Sequence, residues 1–294
     1  MLVLESIGVF ALMGGLFGSV LAIASKKLVV EVDSRIQEIL HVLPGANCGG
    51  CGFPGCNGLA EAIAANAAKP SSCVAIKPEE AAVIAAIMGE VAEALSERKI
   101  ARLKCSYPLS EAKKLYKYKG VSNCHLAVNL FRGPRNCNFG CFGLGSCAIA
   151  CPFGAISMST EGVPKINYNL CTGCGACVNE CPQFLLHLEK ISQEIFIGCN
   201  NLDKGKTAKD VCPQACISCG ICVKSCPAHA VTMTTYKNGG TLPAIDSSKC
   251  IQCGVCAEKC PAKCIQKYES VIGQVTLLPA QKSGCASCGA CSGH

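Results

Sequence analysis

The chain opens on an apolar run, "IGVFALMGGLFGSVLAIAS" at 7–25, that holds no charge and is closed by Lys26 and Lys27. A helix of that length just reaches across the hydrocarbon layer of a bilayer, so the pattern predicts a single transmembrane helix. A cleaved signal peptide is the competing reading, with "AIA" at 22–24 as its cleavage site. The segment ahead of the run, however, carries Glu5 and no Lys or Arg, against the basic start a signal peptide has. The basic pair follows the helix, which leaves the rest of the chain on the cytoplasmic side. Gly14, Gly15, Gly18 and Ser19 give the helix a small-residue face for close packing. Further on, "GLAEAIAANAA" after Cys56 reads as a helix of high propensity, ended by "KPSSC". Residues 79–99 place apolar positions at helical spacing and charges on the remaining face, the pattern of an amphipathic packing helix or spacer. Past residue 101 the regular segments shrink to short β-like runs, "ARLKC" and "IFIGC", among loops rich in cysteine.

Composition changes that picture. With 28 Cys, no Trp and 5% aromatic residues in 294 positions, large aromatic cores are excluded as the main stabiliser. The cysteines stand in tight C-x-x-C runs, whose members are poorly placed to bond one another, so the pattern points to metal rather than disulfides. Cys48, Cys51, Cys56 and Cys73 spell C-x2-C-x4-C-x16-C, four soft ligands suited to an iron–sulfur cluster or to zinc. The glycines of "NCGGCGFPGCN" favour the cluster, because its sulfurs accept backbone N–H bonds and glycine lets the chain wrap close.

The run C-x2-C-x2-C-x3-C-P occurs at Cys171, Cys174, Cys177 and Cys181, at Cys216, Cys219, Cys222 and Cys226, and at Cys250, Cys253, Cys256 and Cys260. In this bacterial ferredoxin run the fourth cysteine ligates the other cluster of a pair. The second pair therefore reads as Cys216, Cys219, Cys222 with Cys260, and Cys250, Cys253, Cys256 with Cys226. The leading run of the first pair, "CNFGCFGLGSCAIACP", has Leu144 where Cys219 stands in its counterpart. Cys137 is the expected substitute, giving Cys137, Cys141, Cys147 and Cys181 for one cluster and Cys171, Cys174, Cys177 and Cys151 for the other. Cys105, Cys124, Cys199 and Cys212 read as a possible sixth cluster or as free buried thiols. Cys285, Cys288 and Cys291 in "CASCGAC", with Cys264, suggest a seventh site.

The formal charge of +7 would suggest an anionic partner. Each cubane with four thiolates carries about −2, however, so five would contribute roughly −10 and reverse the sign. No interleaved aromatic and basic patch is present, which argues against nucleic acid. There is no phosphate-binding G-x-x-x-x-G-K-[ST] and no G-x-G-x-x-G opening a helix after a strand, and His41, His125, His187, His229 and His294 are scattered. The chain handles electrons and shows no site where a substrate would react.

An apolar N-terminal helix, "CGGCGFPGC" with a late fourth cysteine, and tandem ferredoxin runs resemble the B subunits of the Rnf complexes, membrane ferredoxin:NAD+ oxidoreductases that pump Na+ or H+. The likeness covers almost the whole chain and is most specific over residues 48–73. It implies an α+β chain with a single N-terminal transmembrane helix, a small helical four-cysteine domain and two tandem bacterial ferredoxin-like modules. The expected divisions are 1–27 anchor, 28–78 four-cysteine domain, 79–100 helical linker, 101–194 and 195–268 the two modules, and 269–294 a cysteine-containing tail. It further implies [4Fe-4S] clusters, soluble reduced ferredoxin as electron donor, the other Rnf subunits as partners and a place in the cell membrane with the bulk of the chain cytoplasmic. The related complex that keeps a redox-sensing transcription factor reduced, and a polyferredoxin wire of a hydrogenase, are the alternatives.

Overall fold

Helix α1 (Leu2–Lys27) forms along the apolar run and leaves Phe10, Leu12, Leu16, Leu21 and Ile23 exposed. The computed structural model describes residues 2–27, 33–91, 97–236 and 239–267. Among the described residues no helix is long and apolar enough to cross a membrane, so the expected transmembrane span is not supported.

Three further helices, α2 (Ser34–Val42), α3 (Gly55–Ala64) and α4 (Pro78–Met88), build the first core. Asp33 caps α2 by accepting from the Arg35 N–H, and Glu80 closes the start of α4 by accepting from the Lys77 N–H. Ile39, Leu59, Ile63 and Ile84 are each within 1% of full burial, and Cys56 and Cys73 are buried in the same cluster. The amphipathic helix read at 79–99 thus ends at Met88, where Gly89 turns left-handed. Its apolar face completes this core instead of spacing two domains. Residues 92–96 of that segment lie outside the described ones.

The remainder is one pattern built twice. In the first half β1 (Lys99–Leu103) is followed by α5 (Cys124–Val128), α6 (Ser146–Ile149), the hairpin β2 (Ile156–Met158) and β3 (Pro164–Ile166), α7 (Ala176–Glu180) and β4 (Leu186–Lys190). In the second, β5 (Ile195–Ile197) leads to α8 (Gly205–Val211), α9 (Ile221–Lys224), the hairpin β6 (Val231–Thr235) and β7 (Thr241–Ile245), α10 (Val255–Glu258) and β8 (Ile265–Lys267). First and last strands close each half antiparallel, Lys99 opposite Lys190 and Ile195 opposite Lys267, while each hairpin pairs with itself.

The halves are stapled along β1 and β5. Cys105 and Cys199 form an isolated antiparallel bridge, and the Ser106 N–H donates to the Gly198 carbonyl at 3.2 Å. Arg102, fully buried, lies 4.5 Å from the Tyr168 ring and 4.8 Å from the Phe196 ring, and donates to the Gln193 carbonyl at 2.7 Å. Its guanidinium therefore binds one aromatic face from each half.

Candidate iron-sulfur centres

Each ferredoxin-type run folds the same way. Helices α6, α7, α9 and α10 all start behind a left-handed glycine: Gly145, Gly175, Gly220 and Gly254. That turn puts Cys147, Cys177, Cys222 and Cys256 at the first turn of a helix, with the other thiols of the run in the loop before it. The prolyl cysteine at the end of each run is held by the amide four residues on: Ala155 donates to Cys151 Sγ at 3.3 Å, Leu185 to Cys181 at 3.5 Å and Ala230 to Cys226 at 3.3 Å. The Cys264 amide does the same for Cys260. Amides aimed at sulfur are what an anionic iron–sulfur centre requires.

The thiols then collect into sets. Cys73 meets Cys51, Cys48 and Cys56; burial first, and then those three neighbours, raises its thiol. Burial lifts Cys177 to about 12, and Cys171, Cys174 and Cys151 add to it. Burial lifts Cys222 to about 11, reinforced by Cys216 and, more weakly, by Cys219 and Cys260. Cys256 rises through burial and through Cys250, Cys226 and Cys253. Thiols that burial holds protonated take up iron in exchange for their protons.

The first set of module 1 differs from the expectation. Leu144 does occupy the position of Cys174, Cys219 and Cys253: Gly143, just before it, is left-handed, as are Gly173, Ser218 and Gln252 before those cysteines. The thiol that the fold brings beside Cys141, Cys147 and Cys181 is Cys124, and Cys137 is not in that pocket. Cys124, Cys141, Cys147 and Cys181 line one pocket with Leu103, Phe142 and Met158. Burial takes Cys147 to about 12, with Cys181 and Cys124 adding to it. Asn123 caps α5, the Cys124 N–H donates to Ser146 Oγ at 2.9 Å, and His125 meets Glu180 at 3.3 Å, so α5 is docked onto the start of α6 and the end of α7. Cys137 is turned away by a short ladder in which Leu115 N–H donates to the Pro134 carbonyl and Asn136 N–H to the Lys113 carbonyl. It faces Cys105 and Cys212 instead. Of the four thiols grouped from sequence as Cys105, Cys124, Cys199 and Cys212, Cys124 thus lies in the module 1 pocket, and Cys137 lies beside Cys105 and Cys212.

Cys264 is 2% exposed and lies in the pocket of Cys216, Cys219, Cys222 and Cys260, with its sulfur 3.6 Å from Cys260 Sγ. By hydrogen bonding, Cys264 lowers Cys260 to about 5 and Cys216 to about 7, and its own thiol is raised in return. Cys285, Cys288 and Cys291 lie outside the described residues.

Among the described residues no three of His, Cys, Asp or Glu converge tightly enough for a single metal ion. Tetrahedral zinc at 2.3 Å per sulfur would draw its ligands to about 3.8 Å from one another. A cleft beside α3 and α4, lined by Asn66, Lys69, Pro70 and Glu90, holds no thiol and plays no part.

The sets also touch in sequence. Gly50 packs so tightly on the Cys171–Cys177 loop that a Cβ there would meet the Cys174 carbonyl at 2.6 Å and Val74 Cγ2 at 2.9 Å. Cys174 feels Cys48, and Cys147 feels Cys177.

A four-cysteine head followed by two duplicated units of paired thiol sets defines a polyferredoxin-type electron carrier. Residues 43–75 match the family described as "Putative Fe-S cluster", and residues 136–185, 215–264 and 170–231 match 4Fe-4S dicluster domains. The B subunit of the Na(+)-translocating ferredoxin:NAD(+) oxidoreductase complex of Acetobacterium woodii is 38% identical over 213 residues, 72% of this chain and 64% of that protein. The B subunit of the ion-translocating oxidoreductase complex of Methanosarcina acetivorans is 41% identical over 247 residues, 84% of this chain and 91% of that one. A proton-translocating counterpart from Clostridium ljungdahlii is 35% identical over 205 residues, 69% and 72% of the two chains. The chain spans just under two thirds of the Acetobacterium protein and nine tenths of the Methanosarcina one. It belongs to the family of Rnf complex B subunits, and it carries [4Fe-4S] clusters.

Proposed function

We propose that this chain is the electron-carrying B subunit of an ion-translocating ferredoxin:NAD+ oxidoreductase, receiving electrons from soluble reduced ferredoxin and passing them to the membrane subunits. The observation that carries the reading is the order in which the thiol sets adjoin. Cys48, Cys51, Cys56 and Cys73 stand against Cys171, Cys174, Cys177 and Cys151, which stand against Cys124, Cys141, Cys147 and Cys181. Cys216, Cys219, Cys222 and Cys260, and then Cys250, Cys253, Cys256 and Cys226, continue the series in the second module. The bound clusters supply one-electron carriers; the chain supplies thiolates, amides aimed at sulfur and apolar walls that exclude water.

The second module is the entry, because Cys219 and Cys253 are exposed there, whereas Cys174, at the equivalent position of module 1, is half-buried. The four-cysteine head is the exit: it follows α1, whose exposed apolar side chains offer the surface by which the chain meets the membrane part of the complex. No side chain in the series is arranged to make or break a substrate bond, so NAD+ reduction belongs to other subunits.

Iron and acid-labile sulfide, measured on anaerobically reconstituted full chain with EPR, test this reading. Five sets of four thiols predict at least about twenty irons per chain, with signals that develop on adding reduced ferredoxin. Eight irons or fewer, or stoichiometric zinc at Cys48, Cys51, Cys56 and Cys73, would contradict it.

A further inference from the structure

Four thiols remain between the two modules. Cys105, Cys137, Cys199 and Cys212 are 8%, 7%, 9% and 8% exposed. They come from four separate places: Cys105 follows β1, Cys199 follows β5, Cys137 ends the ladder of 113–115 with 134–136, and Cys212 follows α8. The Cys105–Cys199 bridge joins two of them across the module junction, and Cys137 and Cys212 both face Cys105. The Lys113 ammonium donates to the Asp210 carbonyl at 3.0 Å, tying the segment that carries Cys137 to the helix that precedes Cys212.

A second, independent observation points to an anionic ligand. Arg135 is 3% exposed; its Nη1 donates to Cys105 Sγ at 3.1 Å and to the Cys141 carbonyl at 3.2 Å, while its Nε is buried without a partner. The charges that face this guanidinium are those of Cys105, Cys137 and Cys212. A buried arginine surrounded by neutral thiols would be an uncompensated buried charge. Four thiolates around a cubane, carrying a net charge of about −2, compensate it. Three backbone amides add to the case: Cys141 donates to Cys105 Sγ at 3.4 Å, and Cys216 and Asn201 donate to Cys199 Sγ at 3.3 and 3.4 Å.

We propose that Cys105, Cys137, Cys199 and Cys212, capped by Arg135, form a sixth [4Fe-4S]-binding site seated between the two ferredoxin-like modules. Its position gives it a role. The amide that donates to Cys105 belongs to Cys141 of module 1, and one that donates to Cys199 belongs to Cys216 of module 2. The site thus lies between the last thiol set of one module and the first of the next, where the series crosses the junction. The inference rests on the reading that the other thiol sets hold clusters.

The test is iron quantitation on anaerobically reconstituted full chain carrying Cys105→Ser and Cys212→Ser together. Four irons fewer per chain than in the parent, with the EPR signals of the other clusters kept, is expected. An unchanged iron count overturns the proposal while leaving the five other sets standing; zinc or eight irons or fewer in the parent overturns the underlying reading instead. Should the double variant fail to fold, Arg135→Gln keeps every thiol. It is expected to hold the parent's iron and to move one midpoint potential to a more negative value in an EPR redox titration, since a cation beside the site is lost. No shift in any potential with iron unchanged overturns the proposal.

Discussion

The third residue after each prolyl cysteine carries a cost that its type does not reveal. Gly154, Phe184, His229 and Lys263 all adopt positive φ, from 48° to 60°. Only the first is a glycine. An L-residue there is strained by about 1–2 kcal/mol, and the strain is tolerated because the turn brings the next amide onto the ligand sulfur. Phe184 is 73% exposed, so its ring contributes no burial in return. Phe184→Gly should relieve the strain at a smaller entropic cost of about 0.5–1 kcal/mol. The expected outcome is a slightly higher guanidinium midpoint for cluster bleaching, by about 0.5 kcal/mol, at unchanged iron content; a lower midpoint would show that the ring has a packing role. Nothing in "CPQF" signals this position, because the conformation is set by the sulfur that the following amide must reach.

At the scale of elements, the runs of cysteine were legible because their spacing is short and one glycine-started turn carries three thiols. Cys124 and Cys137 were not. Neither fits the C-x2-C-x2-C-x3-C-P spacing, and distance along the chain favours Cys137, which is four residues from Cys141. What decides between them is a helix and a ladder. Asn123 is a strong N-cap that starts α5 at Cys124, and the pairing of 113–115 with 134–136 swings Cys137 to the other module. The cap is a local signal that could have been read; the ladder, formed by lysine-rich sequence without alternation, could not. Helix α4 was legible as amphipathic, but only its contacts with Ile39 and Leu59 show that it belongs to the four-cysteine core. The close seat of Gly50 on Cys174 gives an element-scale prediction. Gly50→Ala needs one of the two loops to move, an overpacking that costs about 1–3 kcal/mol. Iron content should stay that of the parent, while reduction of the four-cysteine head by way of module 1 slows severalfold in rapid-freeze EPR. Parent-like rates would mean that the two loops need not touch.

At the scale of the whole molecule, duplication explains most of the architecture. Two halves close their own first and last strands, and a buried Arg102 between Tyr168 and Phe196 joins them. The tandem runs announce the duplication in sequence. The staple does not, since an arginine in "ARLKC" reads as an exposed strand residue until its two aromatic partners, from segments far apart in the chain, are brought together. The apolar N-terminus shows the opposite case: a pattern strong enough to predict a bilayer span yields, among the described residues, no helix long and apolar enough for one. The proposed path is a row of thiol sets leading from the second module, where Cys219 and Cys253 are exposed, to a four-cysteine head.

That row is the central claim, and replacing one head ligand tests it most directly. In membranes holding the complete complex, Cys51→Ser should remove the cluster held by Cys48, Cys51, Cys56 and Cys73, leave the ferredoxin-module signals reducible by reduced ferredoxin, and abolish ferredoxin-dependent NAD+ reduction. If NAD+ reduction persists at the parent rate with the head cluster shown by EPR to be absent, electrons do not leave by that route and the account is wrong.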